Sequence, residues 1–194
     1  MSARARMPEP DQDVEVQDNR REESLRELFG LRRSEQGRMG ADAVDETGHE
    51  FELKSTTKNS VSTARDVGPH TVRKWRTRYW LFAKGRNLAS GFKIDETYFL
   101  HPNQMDAWFR KLEDRFAGDL KLLKAAAEAS KKEGATSAEV ARLTYLGERG
   151  LTLNNPKVPW EYVQAHGKPI TSYHAKGLRA LVRRFPLKPA SGVK

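Results

Sequence analysis

The period of the apolar positions changes several times along the chain, and each change marks an element. Leu25, Leu28 and Phe29 share one stripe, which predicts a short helix from Arg20 to Phe29 that Gly30 stops. Residues 1–18 before it show no apolar period and mix Pro, Asp, Arg and Gln, the composition of a disordered leader. Residues 42–46 and 49–55 read as two strands turning at Thr47-Gly48. Ser55 to Gly68 is polar and reads as a loop. Pro69 to Thr77 suits a short helix with proline near its start. Tyr79 to Ala83 is a continuous apolar run, as in a central strand buried on both faces, with Trp80 and Phe82 in the core. A turn over Lys84 to Ser90 leads to a second strand, Phe92 to Leu100.

From Asn103 the period becomes helical. Met105, Trp108, Phe109, Leu112 and Phe116 recur at helix spacing, and Gly118 predicts a break. Leu120, Leu122, Leu123 and the following alanines predict a second helix to about Lys132. Thr136 with Glu139 makes a capping box for a third, through Val140, Leu143 and Leu146. Asn154-Asn155-Pro156 is a turn signal, and Pro159 opens a helix that Gly167 stops. In residues 168–194, Leu178, Leu181, Val182 and Phe185 interleave with Arg179, Arg183 and Arg184 as a basic amphipathic helix. It suits either a phosphate-contacting arm or a segment packed on the body with its arginines in solvent.

Composition narrows the function classes. At 194 residues the chain suits one domain with appendages. A net charge of +9 favours a polyanionic partner. The absence of cysteine excludes disulfides and thiolate zinc sites. No apolar stretch has the length of a membrane span or signal segment, which leads to the expectation of a soluble, cytoplasmic protein.

The candidate chemistry lies in the hairpin. Glu52 and Lys54 are two apart and point to one face of a strand, while Leu53 points to the other. A two-residue loop would pair Asp42 with Leu53. A three-residue loop, Glu46-Thr47-Gly48 with its glycine left-handed, would pair Asp42 with Glu52 and gather all three side chains on one face. Converging carboxylates repel unless a hard cation lies between them, and Mg²⁺ takes one or two carboxylates plus water and phosphate oxygens. Lys54 would stand beside the phosphate, orienting water or stabilising transition-state charge. An acid followed at two positions by lysine also occurs on ordinary surface hairpins.

The residues themselves carry a more specific likeness. Gly40-Ala41-Asp42-Ala43-Val44-Asp45, Gly48 and Glu50-Phe51-Glu52-Leu53-Lys54-Ser55 resemble the active-site hairpin of PvuII-type restriction endonucleases, of the PD-(D/E)XK superfamily. Lys74-Trp75-Arg76 with Trp80-Leu81-Phe82-Ala83, then Asn154-Asn155-Pro156-Lys157-Val158-Pro159 with Tyr162, Val163, His166 and Gly167, come in the family's order.

The resemblance implies an α/β fold with a restriction-endonuclease-like mixed central sheet flanked by helices. It places an endonuclease domain at residues 19–167, a helical insertion at about 117–150 and a basic extension at 168–194. It further implies a homodimer on double-stranded DNA, built partly by the segment before the hairpin, which is shorter here. Mg²⁺ would be held by Asp42, Glu52 and the Leu53 carbonyl, with Lys54 assisting the water. Cleavage would fall at a short palindrome, leaving blunt ends, in a host carrying a companion DNA methyltransferase.

Where the family reads guanine with histidines, this chain has Ala64-Arg65-Asp66. Arg65 could contact guanine bidentately and Asp66 accept from cytosine, while Asn154 and Asn155 are the candidates to read adenine. Lys74 and Arg76, with Arg73 and Arg78, would surround Val72 and Trp75 as a phosphate-facing or simply solvated surface. Trp75 stands where the resemblance leads us to expect a tyrosine near the metal site. The rival classes are a nuclease without strict sequence choice, as in repair or phage systems, and a DNA-binding regulator with a dead hairpin.

Overall fold

The computed structural model describes residues 12–35, 40–171 and 175–187, with side chains from Arg20 onward. Its centre is a six-stranded mixed sheet in the order β1 (Arg32–Arg33), β2 (Ala43–Val44), β3 (Glu50–Thr56), β5 (Tyr79–Leu88), β6 (Gly91–Leu100), β8 (Lys168–Pro169). Every pairing is antiparallel except β3 with β5, whose parallel alignment sets Glu52 beside Trp80 and Lys54 beside Phe82. Between β3 and β5 the chain makes β4 (Ser60–Ser62) and helix α2 (Pro69–Trp75).

The central strand β5 explains its own sequence. Trp80 and Phe82 point into a core with Trp75, Trp108, Phe109 and Val163. Tyr79, Leu81 and Ala83 point into a second core on the opposite face, with Leu25, Phe29, Phe51, Leu178 and Val182. Both faces are covered, so the run has no polar alternation. Beyond Lys84 the β5–β6 register shifts, and Gly85 sits where a Cβ would come within 2.1 Å of the Lys93 carbonyl oxygen. Only glycine fits that approach.

Several expectations change. Helix α1 runs from Gln12 to Phe29, so it begins inside the segment read as a disordered leader; residues 1–11 lie outside the described residues. Its buried anchors, Leu25 and Phe29, lie near its C-terminal end, and a helix once nucleated extends through polar residues without a stripe of its own. Ser60–Ser62, within the expected loop, pairs antiparallel with β7 (Lys157–Pro159). That pairing joins segments far apart in the chain, which no local pattern announces.

The break expected at Gly118 is absent: α3 continues from Asp106 to Lys132 and packs against α4 (Ser137–Gly150). A Cβ at Gly118 would meet nothing within 4 Å, so the glycine costs only about 1 kcal/mol of helix propensity and does not interrupt the ladder. The capping box forms as expected, with the Thr136 N–H donating to Glu139 Oε2 at 2.8 Å. Helix α5 (Trp160–His166) comes directly after β7.

The basic C-terminal helix packs on the body. In α6 (Ala175–Arg184), Leu178 and Val182 enter the second core, and Arg179 pairs with Glu46 of the hairpin loop. The Tyr79 hydroxyl fastens the segment just after α6, donating to the Phe185 carbonyl at 2.9 Å and accepting from the Leu187 N–H at 2.9 Å.

Tyr79→Phe removes both bonds while keeping the ring, and we expect it to lower stability by about 1–2 kcal/mol. A urea midpoint unchanged from the parent, with no faster proteolysis after α6, would show that these bonds do not hold the extension.

Candidate active site

The hairpin has the odd loop. Ala43 pairs with Phe51 and Val44 with Glu50, and just beyond this ladder the Asp42 N–H donates to the Phe51 carbonyl at 3.0 Å. Gly48 closes the loop at φ +87°, a conformation that favours glycine. Asp45 holds the turn, one carboxylate oxygen accepting from the Thr47 N–H (2.8 Å), the Thr47 hydroxyl (2.7 Å) and the His49 N–H (2.9 Å). Burial alone would raise the Asp45 carboxyl, but these bonds outweigh it and hold it below its ordinary range.

The side chains gather around one cationic centre. The Lys54 ammonium lies 2.7 Å from Asp42 Oδ2, 2.9 Å from Glu52 Oε1 and 2.9 Å from the Leu53 carbonyl oxygen. Asp42 Oδ2 also accepts from the Leu53 N–H at 2.8 Å. Glu52 and Lys54 are buried, and the Asp42 side chain, 23% exposed, is the open side of the cluster. Burial by itself would lower the Lys54 pKa, but the charges of Asp42, Glu52 and Glu22 outweigh it and hold the ammonium protonated well above the ordinary lysine range. Burial and the Asp42 charge push the Glu52 carboxyl upward, while Lys54 and Arg78 pull against them.

This donor set fits a hard divalent cation. Two carboxylates and a carbonyl already converge on the Lys54 ammonium, which stands in for such an ion, and oxygen is what Mg²⁺ prefers. Among the described residues no third carboxylate or imidazole completes a metal cluster.

Two arginines and a glutamate join the site unannounced by the motif. The buried Arg78 donates from Nε to Glu50 Oε2 (2.9 Å) and from Nη1 to the Gly40 carbonyl (2.9 Å) and Glu52 Oε2 (3.4 Å). Arg26, buried on α1, reaches the Asp42 carbonyl at 3.4 Å and lies 3.8 Å from Glu22. Burial and the nearby Asp42 charge push the Glu22 carboxyl up to about 7. The helix spacing carries the signal: positions 22, 25, 26 and 29 share one stripe, which sets an acid and an arginine among core residues.

The basic run, read as a phosphate-facing or simply solvated surface, turns two of its arginines inward. Arg76 is bound to Glu113 through two nitrogens (3.0 and 2.9 Å) and to Asp106, and it lies over the Phe109 ring, so it clamps α2 to α3. Arg78 faces the carboxylates. Both placements arise from a geometry in which the helix end turns its basic residues inward onto acids far away in sequence. Lys74 is half-buried on α2, and Arg73 pairs with Glu148 at 2.6 Å. Trp75 packs edge-on to Trp80 in the core, and Arg78, three residues on, is the side chain of this segment that reaches Glu52.

The residues expected to read bases come together. Val67 and Leu153 form an antiparallel bridge, N–H to carbonyl at 3.0 and 2.8 Å, which brings Arg65 and Asp66 alongside Asn154 and Asn155. Asp66 and Asn154 are exposed, and Arg65 lies beside them at the loop surface. Asn155 instead serves the turn, at φ +50° with its Oδ1 accepting from the Thr63 N–H at 3.1 Å.

Compared with known families, the chain matches the model for restriction endonuclease PvuII over residues 12–125. The match takes in Glu22, the whole hairpin and Arg78; Asn154 and Asn155 lie beyond it.

Glu22 makes the fold sensitive to pH. Folded, its carboxyl keeps a proton up to about pH 7; unfolded, only to its ordinary value of 4.5. The native state therefore binds the extra proton between these values, and stability falls as pH rises across them, by roughly 3 kcal/mol at most. We expect Glu22→Gln to flatten that decline and to melt at a higher temperature than the parent at pH 8 but not at pH 4. Parallel melting profiles for the two proteins would refute this.

Proposed function

The chain belongs to the PvuII restriction-endonuclease family, and on that basis we propose a Mg²⁺-dependent endonuclease that cuts duplex DNA at a short palindrome and leaves blunt ends. The observation that carries the reading is the convergence of Asp42, Glu52 and the Leu53 carbonyl on one cationic point beside a buried lysine. Those three groups would hold Mg²⁺. When bound there, the ion supplies Lewis-acid clamping of phosphate oxygens and a lowered pKa for the attacking water.

The protein's own residues do the rest. Without an ion, Asp42 and Glu52 hold Lys54 protonated, and its ammonium, beside the same carboxylates, is placed to donate to the scissile phosphate or its attacking water. Arg65, Asp66 and Asn154 supply the donors and acceptors that suit base edges in the major groove, and Asn155 shapes their loop. A two-fold homodimer would present one centre to each strand of a palindrome. A companion methyltransferase protecting host DNA, and action in the cytoplasm, belong to the same reading. Among the described residues no helix is long and apolar enough to cross a membrane.

Purified protein incubated with long duplex DNA should give discrete fragments with Mg²⁺ and none with chelator, and Asp42→Ala or Lys54→Ala should lower the rate about 100-fold or more. Sequencing the fragment ends gives the site and the cut position. A smear would point to a nuclease without sequence choice. Binding without cutting by the unmodified protein would overturn the enzymatic reading in favour of a regulator.

For recognition, Asn154→Ala should weaken discrimination at one base pair by about 1–3 kcal/mol, whereas Asn155→Ala should act mainly on stability. Cleavage of single-substitution variants of the site, beside melting of each protein, separates the two. An Asn154→Ala enzyme with unchanged preference would remove that residue from the readout.

A further inference from the structure

Glu52 is shared between two cationic side chains, and each occupies the same kind of nest. Lys54 sits among the Asp42 carboxylate, Glu52 Oε1 and the Leu53 carbonyl. Arg78 sits among the Glu50 carboxylate, Glu52 Oε2 and the Gly40 carbonyl. Two carboxylates and one carbonyl around each cation, with one carboxylate in common, is an arrangement that a pair of metal ions could take. Two-metal nuclease centres hold their ions about 3.5–4 Å apart, bridged by shared oxygens. Here the second position is filled by a guanidinium that cannot lose its charge.

We propose that Arg78 is a built-in second cation, so that each chain works with a single divalent ion. This rests on the metal-dependent reading above and specifies how that centre is composed. Arg78 is buried, and its Nε and Nη1 each meet an acceptor at 2.9 Å, so it is not a side chain that swings aside to admit an ion. A divalent ion sharing Glu52 Oε2 would lie against the guanidinium, and like charges at that separation repel strongly in a buried site. Glu52 therefore offers one oxygen to an ion and keeps the other on Arg78. Arg78 is a positioning residue in this scheme: it aims Glu52 and ties it to the Gly40 carbonyl, two residues before Asp42, so both carboxylates of the metal site share one brace.

The test is the number of Mn²⁺ ions bound per chain, measured by equilibrium dialysis on the full-length protein without DNA, a readout independent of cleavage. The parent should bind about one ion per chain, and Arg78→Lys, which keeps a charge in the nest, should also bind one. Arg78→Ala removes the guanidinium from among Glu50, Glu52 and the Gly40 carbonyl and should bind about two. Its cleavage should then show a Mg²⁺ dependence steeper than the parent's. Circular dichroism checks that each variant is folded, and Arg78→Gln, larger and neutral, replaces Arg78→Ala if the latter is not. Two ions on the parent, or a folded Arg78→Ala and Arg78→Gln that both still bind one, would overturn the inference and leave the nuclease reading standing. No Mn²⁺ bound by the parent at millimolar concentration would overturn both.

Discussion

A single carboxylate buried in the middle of the sheet governs this molecule. Glu52 lies on β3, flanked by strands on both sides, and its charge is tolerable there only because Lys54 and Arg78 approach its two oxygens. A buried charge without such partners would cost several kcal/mol or take up a proton. Each partner is in turn held by other acceptors, Lys54 by Asp42 and Leu53, Arg78 by Glu50 and Gly40. The hairpin register, the start of β5 and the segment around Gly40 are thereby bound to one another through charge rather than through packing.

Packing supplies the rigidity that such a network needs. Behind the carboxylates, Leu53 and Phe51 enter one core while Trp80 and Phe82, beside Glu52 and Lys54, enter the other. The charged residues are thus set in a sheet whose neighbours cannot move without breaking a closely packed aromatic layer. Of Asp42, Glu52 and Lys54, it is Asp42 that stands partly open. The C-terminal helix strengthens the same frame: Leu178 and Val182 complete the second core, and Arg179 holds Glu46 at the tip of the hairpin.

The base-reading candidates sit on a separate, lighter device. β4 and β7 form a two-stranded sheet of their own, and the Val67–Leu153 bridge lies beyond it, so residues far apart in the chain meet beside the main sheet. Two left-handed residues, Asp66 and Asn155, shape the loops there. Asn155, which bends the chain, and Asn154, the exposed candidate for base contact, are neighbours in sequence, and only their surroundings separate them.

Short-range physics is legible in the sequence without any coordinates. A loop of odd length ending in glycine was required for Asp42, Glu52 and Lys54 to share a face, and Gly48 supplies it. The unbroken apolar run at Tyr79–Ala83 required cover on both faces, and the Thr136–Glu139 capping box required a helix start. Each of these rests on positions within a few residues of one another. Which distant charges meet is settled only when the chain folds. Arg73, Lys74, Arg76 and Arg78 form one basic run in sequence, yet Arg73 pairs with Glu148, Arg76 with Asp106 and Glu113, and Arg78 with Glu50 and Glu52. Glu22 likewise reads as a polar helix residue until α1 is laid against the hairpin, where burial and Asp42 raise its carboxyl. The reason is the same in each case. An ionic partner is chosen by the low dielectric and fixed geometry of a packed interior, and those exist only after strands and helices far apart in the chain have come together.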